Sequence, residues 1–598
     1  LSFIFGSQSI ESEAEMVRKV DYCGIYTGRK VDKFAKCGFT KAAASELRLR
    51  ISRALTEALA KNGNDPFLAR QAALLPSAKI GTIDSFYLEL VRQNYAALGL
   101  SPNFRIADAG EAALIARAQM ETLIDDCYDD RAGNIAGGAE DFAALVNLLC
   151  GTKDDSLADI LLTLAGKLDA YPRGAAALFD REDEMRVYAA GDFFACPLGA
   201  RIEREVRDVF LCMKERYAYV LEVIRADEKL AVAYDPVFSE DYAGILRMLD
   251  ALESGYAAAF DEIRKIAFSR LGSYHPKGDP HPELAFIKSV RDDYKAHIKA
   301  FLGGWFATDA GAMSACLRDT ADAAHKIGSL LCEYERRARL EKQRRGVCDF
   351  SDITRYALAL VTNADGSDSP LADAMKNAYD AIYIDEYQDV NAVQDRIFRA
   401  IAKPDNRFMV GDVKQSIYSF RQAMPDIFIR YKDKFPRYDS EKDAYPASIV
   451  LDRNFRSRKT VTESVNFVFT QLMSRTCGGI DYVGDEKLAA GAQYPEKSGC
   501  ETRVEFLEDI DGVGAEVLEP QRIAKIICEL MESGFTVTEN GQERPIEYRD
   551  FCILLRSSNK YAPVYAENPR RKRQYLLRRR RGLTGTAASK AHAGCPIL

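Results

Sequence analysis

At 598 residues the chain is too long for a single hydrophobic core, so several domains are expected. Its 47% hydrophobic and 29% charged residues describe an ordinary globular protein, and no apolar run reaches the ~20 residues of a membrane span, so no membrane partner is expected. The net charge of −7 conceals nine Lys/Arg and no acid from Asn568 onward; the remaining −16 excludes nucleic-acid binding by bulk attraction and requires a local basic and aromatic channel instead.

The first residues, Leu1-Ser-Phe-Ile-Phe-Gly, carry no basic n-region and do not read as a secretory signal. Phe34-Ala-Lys-Cys-Gly38 stands where a buried strand is wanted but carries Lys36. Residues 42–60 place Leu47, Ile51, Leu55 and Leu59 four apart, a strong helix pattern. Lys79-Ile-Gly-Thr82 reads as a short strand and Ile83 to Tyr95 as a helix. From about 105 to 375 the chain is almost continuously helical in character, a large insertion between two halves of one α/β domain. Strands are expected again at 381–384, 407–410 and 448–451, and a further α/β stretch closes with Phe551-Cys-Ile-Leu-Leu555. Asn568-Pro569 breaks the next helix, and Arg570 to Arg581 packs eight basic residues into twelve. That tail is expected to be disordered or non-native; the functional alternative is an arm that attracts DNA phosphates. The 14 cysteines contain no C-x-x-C pair, which argues against a zinc ribbon or disulfide framework and for a reducing cytoplasm.

Two strands end in carboxylates. Ala381-Ile-Tyr-Ile leads into Asp385-Glu-Tyr-Gln-Asp389, and Arg407-Phe-Met-Val leads into Gly411-Asp412. In open α/β sheets ligands sit outside the carboxyl ends of strands, so these acids would share one crevice. Asp385 suits a Mg²⁺ ligand there, and Glu386 suits orienting or deprotonating a water. A strand leaving the core into a solvated acidic turn would look the same. Farther on, Gln415 is placed to sense a γ-phosphate, and Tyr418 and Phe420 to stack on bases. In Leu451-Asp-Arg-Asn-Phe-Arg456, Arg456 is placed to reach across a cleft to a phosphoryl group.

With Phe39-Thr-Lys-Ala-Ala-Ala-Ser-Glu-Leu-Arg, Gly81-Thr-Ile-Asp-Ser-Phe86, Ser101-Pro-Asn-Phe-Arg-Ile-Ala-Asp, Asp349-Phe-Ser-Asp-Ile353, Gly491-Ala-Gln-Tyr-Pro and Ile553-Leu-Leu-Arg-Ser-Ser in collinear order, the chain resembles the superfamily 1 helicases of the UvrD/RecB type. More narrowly it is similar to the AddA components of AddAB-type helicase/nucleases. The resemblance implies an α/β fold, RecA-like (P-loop NTPase type) parallel-sheet domains with a large all-helical insertion. Residues 39–105 and 375–445 would form domain 1A, 106–374 helical domain 1B, and 446–567 part of domain 2A; 1–38 would be an atypical start and 568–598 the tail.

It also implies ATP and Mg²⁺ as cofactors. Asp385 would hold the metal, Glu386 would activate water, and Gln415 and Arg456 would contact the γ-phosphate. Phe39, Thr40, Thr82, Phe86, Tyr418 and Phe420 would line the single-strand track, with core packing as the alternative for the aromatics. The implied partners are single- and double-stranded DNA ends and an AddB-type subunit. Departures stand beside the matches. No G-x-x-x-x-G-K-[ST] loop occurs anywhere; Gly24-Ile-Tyr-Thr-Gly-Arg-Lys30 does not fit it. Asp84 replaces the family's His, Arg421-Gln-Ala replaces Arg-Gly-Ala, and motifs V and VI and the nuclease are missing. The expectation is therefore a fragment of a helicase subunit, with an inactive single-strand-binding module or another UvrD/RecB-type helicase as rivals.

Overall fold

The computed structural model describes residues 34–38, 41–62, 65–151, 153–275, 279–439, 441–442, 444–509, 512, 514–539 and 542–566. Phe39, Thr40, the 24–30 segment and the basic tail lie outside the described residues. The chain divides into two compact units at 102/103 and 349/350. In chain order the first strands are β1 (Phe34–Gly38), β2 (Lys79–Thr82), β3 (Arg105–Ile106), β4 (Val347–Cys348), β5 (Ala381–Ile384) and β6 (Arg407–Met409).

The first unit carries a four-stranded parallel sheet in the order β2-β1-β5-β6. Phe34–Gly38 is therefore a central strand of the sheet, not part of an atypical start. In its register Cys37 lies opposite both Gly81 and Ile384, and Ile384 lies opposite Met409. The four carboxyl ends are thus level and share one edge of the sheet. Helix Lys41–Asn62 spans the expected 42–60 pattern and packs on β2 and on helix Pro66–Leu74. Asp65 caps the latter, accepting from the Phe67 and Leu68 amides.

Helix Ile83–Gln93 follows β2 directly, capped by Thr82, and buries Phe86, Tyr87, Leu90 and Val91. The insertion was expected to run to 374. Helices Phe350–Val361 and Pro370–Ala378 belong instead to the sheet unit, because Ile353, Tyr356, Ala357 and Leu360 form a buried stripe. That stripe packs on Ile83–Gln93 and on Ala392–Ile401. Between 446 and 566 the expected strands at 448–451 and 551–555 do not form. Arg453–Asn454 pairs parallel with Ala489–Ala490, and Thr536–Glu539 pairs antiparallel with Gln542–Pro545. An apolar run becomes a buried strand only when neighbours pair with it and cover it; Leu451 and Leu554 are exposed.

The second unit, Asn103–Asp349, is helical apart from β3 and β4, which pair in parallel. One core gathers Phe210, Tyr217, Phe238, Tyr256, Tyr294 and Phe306, and a second gathers Met120, Leu123, Phe142, Leu161 and Leu331. Arg291 and Asp241 form an ion pair of 2.6 Å with side chains 3% and 2% exposed. Tyr217 donates to the same carboxylate, and Arg291 also donates to the Ser269 carbonyl. The long helix Ala310–Arg345 ends on Gly346, whose φ of 66° is the left-handed C-cap that glycine adopts without a Cβ clash. None of the described helices is long and apolar enough to cross a membrane.

Candidate active site

The site begins where β5 stops. Ile382 and Ile384 are buried, and the next amide, that of Asp385, donates to the Cys37 carbonyl at 3.0 Å across the sheet. Glu386 then takes φ 52°, ψ 44°, a left-handed conformation that costs a side-chain-bearing residue ~1–2 kcal/mol. Its surroundings hold it there. The Glu386 amide donates to Asp385 Oδ1 at 3.1 Å, and the Tyr387 amide donates to the Val410 carbonyl at 2.8 Å. Below the turn, the Tyr387 hydroxyl donates to buried Asp395 at 2.6 Å, and Tyr431 donates to the same oxygen at 2.9 Å. The kink leaves Asp385 half-buried and Glu386 exposed at the sheet edge. Among the described residues no Lys or Arg pairs with either carboxylate, so both keep charge available for a ligand.

Gln388, only 1% exposed, joins this turn to the end of β6. Its Nε2 donates to Glu386 Oε2 at 2.8 Å, and its Oε1 accepts the Asp412 amide at 2.9 Å. Gly411 makes the approach possible: a Cβ there would sit 2.5 Å from Gln388 Oε1 and 3.1 Å from the Tyr387 nitrogen. Asp412 in turn accepts from Gln415 Nε2 at 3.1 Å and pairs with Lys414 at 2.8 Å; Lys414 also meets Glu486 at 3.0 Å. Asp389 is 8% exposed and its Oδ1 has no hydrogen-bond partner among the described residues. Burial, with the Glu386 charge adding to it, pushes its carboxyl up to about 6.

The loop after Gln415 carries the expected rings. Tyr418 and Phe420 lie 5.7 Å apart at 49°, and Phe420 is 74% exposed. The Arg421 guanidinium carbon sits 5.4 Å from the Tyr418 centroid and 5.8 Å from that of Phe420, within cation–π range. Desolvation of the Asp84 carboxyl raises it above the ordinary carboxylate range, and the Arg421 charge opposes that rise. The other track residues divide. Thr82 sits at the same sheet edge, but its hydroxyl oxygen is engaged as a helix cap, accepting the Ser85 amide at 3.2 Å. Phe86 departs from the expected track: it is buried against Tyr87 and Tyr379 and offers no face to a base.

Arg456 is exposed on a turn in which Asn454 Oδ1 accepts the amides of Arg456 and Ser457. No hydrogen bond or ion pair joins it to Asp385, Glu386 or Gln415 among the described residues. Nor do those residues hold any group of three or more His, Cys, Asp or Glu suited to a metal. Asp385 offers a single half-buried carboxylate at this edge, and Mg²⁺ is a cation that keeps waters and phosphate oxygens and needs few protein ligands. Sequence reasoning gave no role to Gln388, Gly411 or Asp389. A glutamine between acids, and a glycine directly after a strand, were the available signals.

A level parallel sheet with paired carboxylates after one strand and an acid after the next belongs to the open α/β class, in which ligands bind outside the carboxyl ends of the strands. The sequence model of the UvrD/REP helicase N-terminal domain matches residues 27–436, and the chain belongs to that family. Among curated proteins it is 31% identical over 579 residues to the A component of the ATP-dependent helicase/nuclease of Clostridium acetobutylicum, covering 90% of this chain and 45% of that protein. It is 30% identical to the protein of the same name from Clostridium beijerinckii, over 90% of this chain and 46% of that one. For the Clostridioides difficile protein the identity is 29%, with shares of 90% and 45%. The chain thus spans about half the length of the curated relatives it matches.

Proposed function

We propose that this chain is part of an ATP-dependent 3′–5′ DNA helicase or translocase subunit of the AddAB type. It would work with an AddB-type partner on DNA double-strand ends, in break repair and recombination in the cytoplasm. The carrying observation is that the Asp385–Glu386 turn and the loop bearing Tyr418 and Phe420 leave adjacent strands and are tied together through Gln388 and Asp412. The relatives named above carry ATP, helicase and nuclease in their names, in keeping with this reading.

Asp385 would hold Mg²⁺, which when bound neutralises charge developing on the phosphates. Exposed Glu386 would orient the attacking water and take its proton, with its geometry fixed by the left-handed turn. Gln415, now bonded to Asp412, would leave that bond to reach a γ-phosphate, and Arg456 would supply charge to the same group. Tyr418, Phe420 and Arg421 would stack on bases, with Thr82, Phe39 and Thr40 along the same track.

The test has two arms at fixed salt, since phosphate contacts make affinity steeply salt-dependent. Replacing Tyr418 and Phe420 by Ala should weaken oligo-dT binding by up to a few kcal/mol, at ~1–3 kcal/mol per stacked base. Unchanged affinity would remove the DNA track. Without a phosphate-binding loop in its 598 residues, the chain should show no DNA-stimulated phosphate release. Release abolished by Glu386→Gln would show that ATP is held by other means. The missing loop also favours a second reading, an inactive single-strand-binding module, which shares the first arm and is excluded by a positive second arm.

A further inference from the structure

We propose that Gln388 is a positioning residue that couples the Glu386 carboxylate to the Asp412–Phe420 loop, so that a single strand on the loop is felt at the carboxylates. This rests on the roles proposed above for Glu386 and for the ring pair. The chemistry of the contact fixes the amide's orientation. A carboxylate can only accept, so Nε2 faces Glu386; an amide N–H can only donate, so Oε1 faces Asp412. A buried amide that lost either partner would be left unsatisfied at a cost, so the two neighbours move with it or not at all.

There is no slack in which to lose the linkage. The space a Cβ would need at Gly411 lies 2.5 Å from Gln388 Oε1 and 3.0 Å from the Phe428 ring. On the far side Asp412 holds Gln415 and Lys414, and the turn of Ser419–Arg421 presenting the rings follows a few residues later. A displacement of the ring loop therefore pulls on Asp412, then Gln388, then Glu386. Of glutamine, ionised glutamate and leucine, side chains of similar size, glutamine alone offers a donor and an acceptor together. Glutamate keeps the acceptor and repels Glu386, and leucine keeps the volume alone.

The experiment is amide hydrogen exchange by mass spectrometry on the full chain, with and without saturating oligo-dT at fixed salt. In the wild type, DNA should slow exchange several-fold in peptides covering 411–421 and also in peptides covering 385–389. Gln388→Leu should keep the first protection and lose the second, with a melting temperature that shows the chain folded. Gln388→Glu should keep Asp412 protected but also lose the transfer to 385–389. Protection of 385–389 that survives in a folded Gln388→Leu or Gln388→Glu variant overturns the coupling. So does protection of 411–421 alone in the wild type. Absence of protection at both segments in the wild type removes the DNA reading on which the coupling rests, and is recognisable as that separate failure.

Discussion

Strain at Glu386 has a measurable consequence. A left-handed glutamate is tolerated because Gln388, Asp385 and Tyr387 over-determine the turn. Glu386→Gly relieves a strain of ~1–2 kcal/mol but leaves the buried Gln388 Nε2 without its acceptor at ~1–3 kcal/mol, and it deletes the proposed base. The urea midpoint should therefore stay or fall; a clear rise would mean that the strain outweighs the Gln388 bond. Gly411→Ala should destabilise outright. Its methyl would meet Gln388 Oε1 and the Tyr387 backbone, an overpacking cost of about 1–3 kcal/mol, read by the same unfolding curve. Asp389 gives a pH signature. Its folded-state value of about 6 lies above that of an ordinary carboxyl, so the folded chain binds the proton more tightly than the unfolded chain. Its contribution to stability therefore falls as pH rises from about 4 to about 6 and stays low above. Asp389→Asn should raise the melting temperature at pH 7.5 and flatten its decline between about pH 4 and about pH 6, relative to wild type. A lower melting temperature at pH 7.5 would show that the charged carboxylate has a partner in solution.

Elements were legible in the sequence where their pattern was self-contained. The helix read from the four-residue spacing in 42–60, the Lys79–Thr82 strand and the β5 run all form, the last with its expected bounds of 381 and 384. The strand at Phe34–Gly38 was obscured by Lys36, yet pairing on both edges, with β2 and β5, makes it central. Runs at 448–451 and 551–555 are largely apolar like β5, yet the first gains only an isolated bridge between Ser448 and Arg437 and the second forms no strand; pairing is a non-local property that no window of sequence contains. At the site, the carboxylates and rings were readable because their chemistry is written in residue type. Gln388 was not, because its role depends on the Asp412 amide twenty-four positions away. Buried elements of the helical unit carry their own test. Arg291→Met would strand the Asp241 charge and should cost about 3–5 kcal/mol, whereas adding Asp241→Leu should recover much of it. A single substitution that is neutral in urea denaturation would mean that water reaches the pair.

On the scale of the whole molecule, the 103–349 unit has the attributes of a domain that folds alone. It owns two apolar cores, and its entry and exit strands, β3 and β4, lie side by side, with the Arg105 amide donating to the Gly346 carbonyl at 3.1 Å. Adjacent termini are what an insertion into another domain requires, since the host chain can then continue with little distortion. The unit also holds the protein's one tryptophan, Trp305, whose carbonyl accepts the Tyr256 hydroxyl at 3.0 Å beside the core. Indole fluorescence is thus a private reporter of this unit. A fragment of residues 103–349 is expected to be monomeric, to show a helical circular dichroism spectrum, and to unfold in one cooperative step with coincident fluorescence and dichroism midpoints. Cys37, buried in the other unit and pushed up to about 12 by that burial, supplies the complementary probe in the full chain. Its thiol should stay unreactive to a maleimide until the sheet opens, while Cys212, Cys316 and Cys477 label at once. A fragment whose fluorescence and dichroism transitions separate, or that unfolds without cooperativity, would show that its two cores do not suffice.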